Sequence, residues 1–407
     1  MKKLFSLIVL SLLLASCGKE ESSPKPQQVE ELPQISIDKT PVPVTPPQPK
    51  IKLEARQFKD LPNWKNDNLV EALSGFKHSC LKILKEKGPF LSDSELRIPT
   101  AAYQLACQRL INADISTAVE FKYFLESNFL PFLVIADGSD QGKFTSYYEA
   151  AINASPIQTG IYKFPIYGKP LDLIEFNPRD FDPSLPSKRL IGRVKDQKLI
   201  PYYTREEIEK NNISAPVILW GDSNIDINIM QIQGSAVATL PDGRTVRISY
   251  ADNNGHPFKG IGSILLEKGY IKPGEATMGN IKKWLKANPE IAAREMRENK
   301  RFIFHRISRA DGPIGAHGVP LHAGRSLAVD RRYIPLGSLI WLETTGPDRE
   351  KIEKLVVAQD IGSAIKGPIR GDYFWGSGKD DVLDYAGRMN SAGRYFIMLP
   401  KKTETRN

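Results

Sequence analysis

The sequence predicts a mainly β protein with helices at its front, on three observations. Apolar residues recur at three- and four-residue steps from Asn66 to about Leu125, which is helical spacing. From Phe129 onward, short runs rich in β-branched and aromatic residues are punctuated by Pro, Gly, Asn and Asp. Strands and helices show no regular alternation, which argues against Rossmann and TIM architectures and suits small β-barrels. With about 350 residues beyond an N-terminal tether, two domains are expected rather than one.

The chain opens on Met1-Lys2-Lys3, a short basic segment, followed by an apolar run from Leu4 to Leu14 that is too short to span a bilayer. Leu14-Ala15-Ser16-Cys17 then reads as a bacterial lipobox, with Cys17 as the lipidated N-terminus of the mature chain. Several acyl chains anchor stably where one alone is marginal. Gly18 rather than Asp follows the cysteine, as in lipoproteins sorted to the Gram-negative outer membrane, facing the periplasm. Residues 18 to 50 are rich in Pro, Ser, Glu, Gln and Lys and poor in large apolar residues, so a disordered tether is assigned to 18–60.

Next comes a helical region. Leu69, Leu73, Phe76, Cys80, Leu81 and Leu84 predict a helix within Asn66 to Lys87. Thr100 is expected to cap a second helix carrying Tyr103, Leu105 and Cys107, and Ser116 to begin a third with Val119, Phe121, Phe124 and Leu125. In an oxidising periplasm Cys80 and Cys107 are expected to be bridged, the alternative being two buried thiols.

Strands are then expected at Phe132–Ile135, Phe144–Tyr148, Ile161–Ile166, Val217–Trp220, Ile225–Gln233, Ala236–Leu240 and Thr245–Tyr250, with a hairpin turn at Leu240 to Arg244. Two helices follow, Met278 to Asn288 and Pro289 to Lys300. Strands resume at Phe302–Ile307, Ser326–Val329, Leu339–Leu342, Lys354–Ala358 and Arg394–Leu399.

Composition excludes several functions. The formal net charge of +9 becomes about +7 once Lys2 and Lys3 leave, and in this compartment the available polyanions are wall glycan and lipid headgroups rather than nucleic acid. No nucleic-acid motif appears. Two cysteines cannot build a structural zinc site, and the five histidines (78, 256, 305, 317 and 322) lack HExxH spacing, so no metal or cofactor is expected. The chemistry concentrates in Asp360-Ile-Gly-Ser-Ala-Ile-Lys-Gly and Arg370-Gly371-Asp372-Tyr373-Phe374-Trp375-Gly376. Both carboxylates are expected in glycine-rich turns, where an acid beside aromatic rings has its pKa raised and can act on a sugar.

Several segments, in order, resemble one family. They are Phe144-Thr145-Ser146-Tyr147-Tyr148-Glu149-Ala150, Phe164-Pro165-Ile166-Tyr167 with Pro170, and Gln231-Ile232-Gln233-Gly234-Ser235. Ser249 to Gly255 with Ile261-Gly262 comes next, then Trp284-Leu285 with Asn288-Pro289 and Asn299. Gly324 to Arg331 with Ile334-Pro335-Leu336-Gly337 precedes the acidic stretch, and Ala386-Gly387, Gly393 and Leu399-Pro400 close the set. Together they resemble the membrane-bound lytic murein transglycosylase A family over roughly residues 65 to 400.

The resemblance implies a double-psi β-barrel domain with the helical bundle, over 61–160 and 299–402, and a second β-domain inserted at 161–298, with a cleft between them for a peptidoglycan glycan strand. It implies cleavage of the β-1,4 bond between N-acetylmuramic acid and N-acetylglucosamine by the muramic C6 hydroxyl, without water. One acid then suffices where glycosidases use two. Matching the motifs puts Asp372 in that role, with Asp360 and Asp330 as supporting acids. Tyr147, Tyr148, Gln231, Gln233, Asn254 and Trp375 are candidate sugar contacts, and Lys366 and Arg370 candidate carboxylate contacts. Implied partners are the glycan strands, the membrane, and proteins of wall synthesis or division. Departures from the family pattern are Ser146, Ala150, Ala236, Ser363 and the Asp380-Asp381 pair. The competing readings are a hydrolase on the same fold and a non-catalytic wall-binding lipoprotein.

Overall fold

The structure, a computed structural model, describes residues 49–210, 213–310, 312–378 and 380–401. The signal segment, Cys17 and residues 18–48 of the tether expected over 18–60 lie outside the described residues, while the 49–60 end of that expected tether carries a strand at Ile51–Ala55 and a 3-10 turn at Phe58–Asp60. Among those described, no helix is long and apolar enough to cross a membrane.

β1 (Ile51–Ala55) pairs antiparallel with β2 (Phe129–Ala136), and three helices lie between them. α1 (Leu73–Ile83) buries Phe76, Cys80 and Ile83; a 3-10 turn at Leu69–Ala72 precedes it, so the helix is shorter than the apolar pattern. α2 (Thr100–Asn112) begins at Thr100 itself, with Pro99 as N-cap, so Thr100 is not the cap. α3 (Ala118–Asn128) is capped one residue later than expected: Thr117 Oγ1 accepts from the Glu120 N–H, and Glu120 accepts from the Thr117 N–H. A disulfide joins Cys80 of α1 to Cys107 of α2.

β3 (Gly142–Ser155) is the longest strand and belongs to two structures at once. Its far end pairs with a second sheet. After β4 (Phe164–Tyr167) comes a separate three-stranded sheet of β5 (Ile174–Phe176), β6 (Leu190–Lys195) and β7 (Lys198–Pro201), then α4 (Arg205–Lys210) and β8 (Val217–Gly221). α5 (Asn224–Gln233) leads into the β9 (Ser235–Thr239) and β10 (Thr245–Asn253) hairpin, where Gly243 at φ +83° forms the expected turn. α6 (Ile261–Glu267), α7 (Met278–Ala287) and α8 (Pro289–Arg297) follow, and β11 (Ile303–Ser308) ends the sheet in the order β3-β9-β10-β11.

α5 corrects the strand expected at Ile225–Gln233. Ile225, Ile227 and Ile229 alternate like a strand, yet Ser223 Oγ accepts from the Asp226 N–H at the start and Gly234 closes the helix at φ +92°. Ile225, Ile227, Ile229, Met230 and Gln231 are all buried, so apolar partners surround the segment and its periodicity could not discriminate.

The chain then returns to the first structure. β12 (Ser326–Val329), β13 (Leu339–Thr345), β14 (Lys351–Asp360), β15 (Arg370–Gly378), the short α9 (Asp380–Ala386) and β16 (Asn390–Pro400) complete it. Pairings β16-β13-β14-β12-β15-β3 form a closed ring, because β3 also pairs with β16. The β12–β14 and β15–β3 pairs are parallel and the others antiparallel. Phe144, Leu327 and Tyr395 fill the barrel, while Trp341 lies on the other face of the wall against Trp64; all four join the helices' Phe76 and Tyr103 in one core. A second core, with Tyr148, Ile152, Met230, Ile248 and Leu285, lies under the second sheet, and a third gathers around Tyr202, Phe302 and Phe304.

Candidate active site

Two parallel strands of the barrel wall make the site. β15 pairs Asp372 with Thr145 of β3 and Phe374 with Tyr147. Side chains alternate along strands, so Arg370, Asp372 and Phe374 share a face with Thr145, Tyr147 and Glu149. The other face sends Phe144 and Tyr373 into the barrel core. Asp372 therefore stands within a strand on the outside of the wall, not in the glycine-rich turn expected of it. Gly371 serves packing: a Cβ there would come within 2.8 Å of the Phe144 ring.

Asp360 ends β14, and β12 lies between β14 and β15. Ala328 of β12 pairs with Asp360 on one side and Asp372 on the other. Strands lie about 4.8 Å apart, which sets the two acid backbones at roughly 10 Å.

Hydrogen bonds fix this pair. Thr145 Oγ1 donates to Asp372 Oδ1 and accepts from Arg370 Nη2 at 2.7 Å. Asp360 Oδ2 accepts from the Tyr147 hydroxyl at 3.0 Å, and its Oδ1 accepts the Ala316 and Ile361 N–H groups, each at 2.9 Å. The Tyr147 ring lies 5.1 Å from that of Phe374, which walls this side of the site.

Burial dominates the electrostatics. It pushes the Asp372 carboxyl up to about 6; Thr145 and Arg370 oppose the rise, and the neighbouring Asp360 adds to it. Burial also raises Asp360, against its three donors. Tyr147 is pushed well above the usual phenol range by burial and by the fields of both acids. Burial lowers the Arg370 guanidinium, while Asp372 pulls it up. No carboxylate comes within 4.0 Å of Arg370 among the described residues. The arrangement holds a carboxyl that burial raises to about 6, with one oxygen tied to Thr145 and the other, Oδ2, without a protein hydrogen bond among the described residues.

The remaining sequence candidates divide. Asp330 follows β12 and is almost fully buried, but Arg332 grips both its oxygens at 2.6–3.1 Å and the Gly367 N–H donates to it at 2.9 Å. Burial pushes its pKa up, yet these partners more than offset that and hold it below the usual carboxylate range. It braces the loop before β15. Asn254 is fully used as a staple: its Nδ2 donates to the Tyr203 and Lys300 carbonyls and its Oδ1 accepts the Phe302 N–H, each at 2.8 Å. Tyr148 points to the opposite face from Tyr147, into the second core. Trp375 likewise turns from Asp372 and packs edge-on against Tyr373 and Tyr385. Gln233 Oε1 accepts the Tyr148 N–H at 3.3 Å, and Gln231 is buried on α5. Lys366 is exposed in the loop between Asp360 and Arg370. Ser363 is exposed in that loop, and Ser146 donates to the Ala386 carbonyl at 2.7 Å.

Sequence reasoning missed Thr145 and the Ala316 N–H. Strand alternation was the available signal for Thr145, since it lies two residues before Tyr147 on the same face. Among the described residues, no group of His, Cys, Asp or Glu is placed to hold a metal ion.

A family model described as the MltA specific insert domain matches residues 143–306, and one described as the 3D domain matches 325–399. Membrane-bound lytic murein transglycosylase A of Escherichia coli K12 is 31% identical over 272 residues, covering 65% of this chain and 67% of that protein. The chain belongs to the membrane-bound lytic murein transglycosylase A family. Among solved structures, MltA from Neisseria gonorrhoeae matches with a TM-score of 0.75 at 30% identity, over 87% of this chain and 94% of that one. Escherichia coli MltA with bound chitohexaose shares the fold, with a TM-score of 0.60 at 22% identity over 86% and 95%. In family terms, the site lies where the two matched segments meet. Thr145 and Tyr147 open the insert-domain match, and Asp360 and Asp372 belong to the 3D match.

Proposed function

We propose that this lytic transglycosylase cuts the β-1,4 bond between N-acetylmuramic acid and N-acetylglucosamine in peptidoglycan, with Asp372 as acid and then base. The observation that carries the reading is the Asp372 carboxyl, raised to about 6 and held at only one oxygen. Its proton passes from Oδ2 to the glycosidic oxygen as the bond from that oxygen to muramic C1 breaks. The resulting carboxylate takes the C6 hydroxyl proton as O6 closes on C1. Atoms balance with no water consumed, and the muramic end is a 1,6-anhydro ring.

The other groups support that acid. Thr145 fixes the carboxyl's orientation and relays Arg370, which steadies the carboxylate form between the two proton transfers. Asp360, carrying Tyr147, supplies negative potential toward the positive charge that develops at C1. Asp330 has no part in proton transfer, being ion-paired to Arg332. The enzyme works at the membrane of the cell envelope, anchored through lipid on Cys17 to the outer membrane and facing the periplasm, where glycan strands are the partner.

Asp372→Asn is the direct test. It is expected to abolish product formation while sparing co-sedimentation with purified peptidoglycan, and near-normal turnover by that variant contradicts the assignment.

A further inference from the structure

Beyond Asp372, the face that carries it continues onto the second sheet. Pairing sets Ser377 beside Glu149, and Ser249 beside both Ser235 and Arg306. Glu149 and Ser235 are themselves neighbours, one position before the Ala150–Ala236 pair. A polar row therefore crosses β15, β3, β9, β10 and β11 at right angles to the strands. It spans four strand spacings, roughly 19 Å, and starts roughly 13 Å along β3 from Thr145. Arg247 stands one step above it on the same face of β10.

This row is under-satisfied in a way that structure alone does not explain. Glu149 is fully buried; it pairs with Arg247 Nη1 and accepts from Ser377 Oγ through Oε2, but its Oε1 has no partner, and neither has the buried Ser249 Oγ. Arg247 uses one nitrogen on Glu149, while its Nε and Nη2 have no protein partner among the described residues and reach solvent. Arg306 is exposed, with no carboxylate within 4.0 Å among the described residues. A latch meant only to join barrel and sheet would close the guanidinium fork; this one holds one edge and presents the other. A planar fork fixed at one edge matches a carboxylate, which it binds with two parallel hydrogen bonds.

We propose that Arg247 and Arg306 form a carboxylate-binding subsite for the peptide stem of a muramic residue bound beyond the cleavage point, so that the enzyme selects stem-bearing glycan over bare glycan. The proposal rests on the murein-cleaving reading above. The test is the full-length enzyme in detergent with two forms of one purified glycan, stems intact or removed by an amidase, read as the ratio of their kcat/KM values. The ratio favours stem-bearing glycan in the wild type. It falls on the order of tenfold in Arg306→Gln, carried by KM, as expected for one lost charge-assisted contact. Arg247→Lys keeps the charge on buried Glu149 but loses the fork, and lowers the ratio in the same direction. An unchanged ratio in both variants, or equal losses on both substrates, overturns the proposal. A wild-type enzyme that cleaves neither substrate overturns the activity beneath it, which is a distinguishable failure.

Discussion

Asp360 and Asp372 pair with the same residue, Ala328, from strands on either side of it. The two acids are thereby held in a common field, and Asp360 contributes to raising the Asp372 carboxyl. Their roles separate through their partners. Asp360 accepts three hydrogen bonds, which suits the supporting role proposed for it, while Asp372 accepts one among the described residues, which leaves an oxygen for the proposed chemistry.

The pH dependence follows from Asp372. In the proposed mechanism its acid form is the active one, and burial raises its pKa to about 6, so kcat/KM is expected to fall tenfold per pH unit above that value. The folded value lies above the ordinary 3.8, so the folded state binds this proton more tightly. Its contribution to stability is present in full below about pH 4 and is lost as pH rises through about 6. Profiles of kcat/KM and of the unfolding midpoint check both statements, and Asp372→Asn removes the stability component.

Asp360→Asn takes away a negative charge that raises Asp372. The descending limb of kcat/KM is expected to move to lower pH, with a loss of kcat from weaker stabilisation at C1. A limb that stays in place separates the two acids electrostatically.

Thr145→Val removes the hydroxyl that favours the Asp372 carboxylate, so the limb is expected to move to higher pH. Activity at pH 5 falls by roughly tenfold through lost orientation, and Thr145→Ser restores it. A purely structural role for Thr145 would lower activity without moving the limb.

Arg325 joins the front of the chain to the barrel. It is 2% exposed, binds both oxygens of Asp67 at 2.7 Å and also holds Glu71. Arg325→Met leaves the Asp67 carboxylate buried and unpaired, at an expected cost of about 3–5 kcal/mol. Urea unfolding measures it.

What was legible in the sequence was local. Helical spacing located α1 to α3, and the turn at Gly243 located the β9–β10 hairpin. Ordered motifs singled out Asp360 and Asp372. The site itself depends on pairing residues 142–150 with 370–378, which no local propensity encodes, so Thr145 went unnoticed beside the acid it bonds. Alternation across that pairing also decides which neighbours belong: Tyr147 faces the acid and Tyr148 the core, and Trp375 turns away while Phe374 stays. Asn254 looked like a sugar ligand because a satisfied structural amide and a binding amide read alike until their partners are seen.

The most direct measurement is the mass of the muropeptides released from purified peptidoglycan by the wild-type enzyme. Single-acid attack by the C6 hydroxyl predicts 1,6-anhydromuramoyl ends, one water lighter than hydrolysis products. Reducing ends carrying that water would contradict the account and assign Asp360 or another acid to activating it.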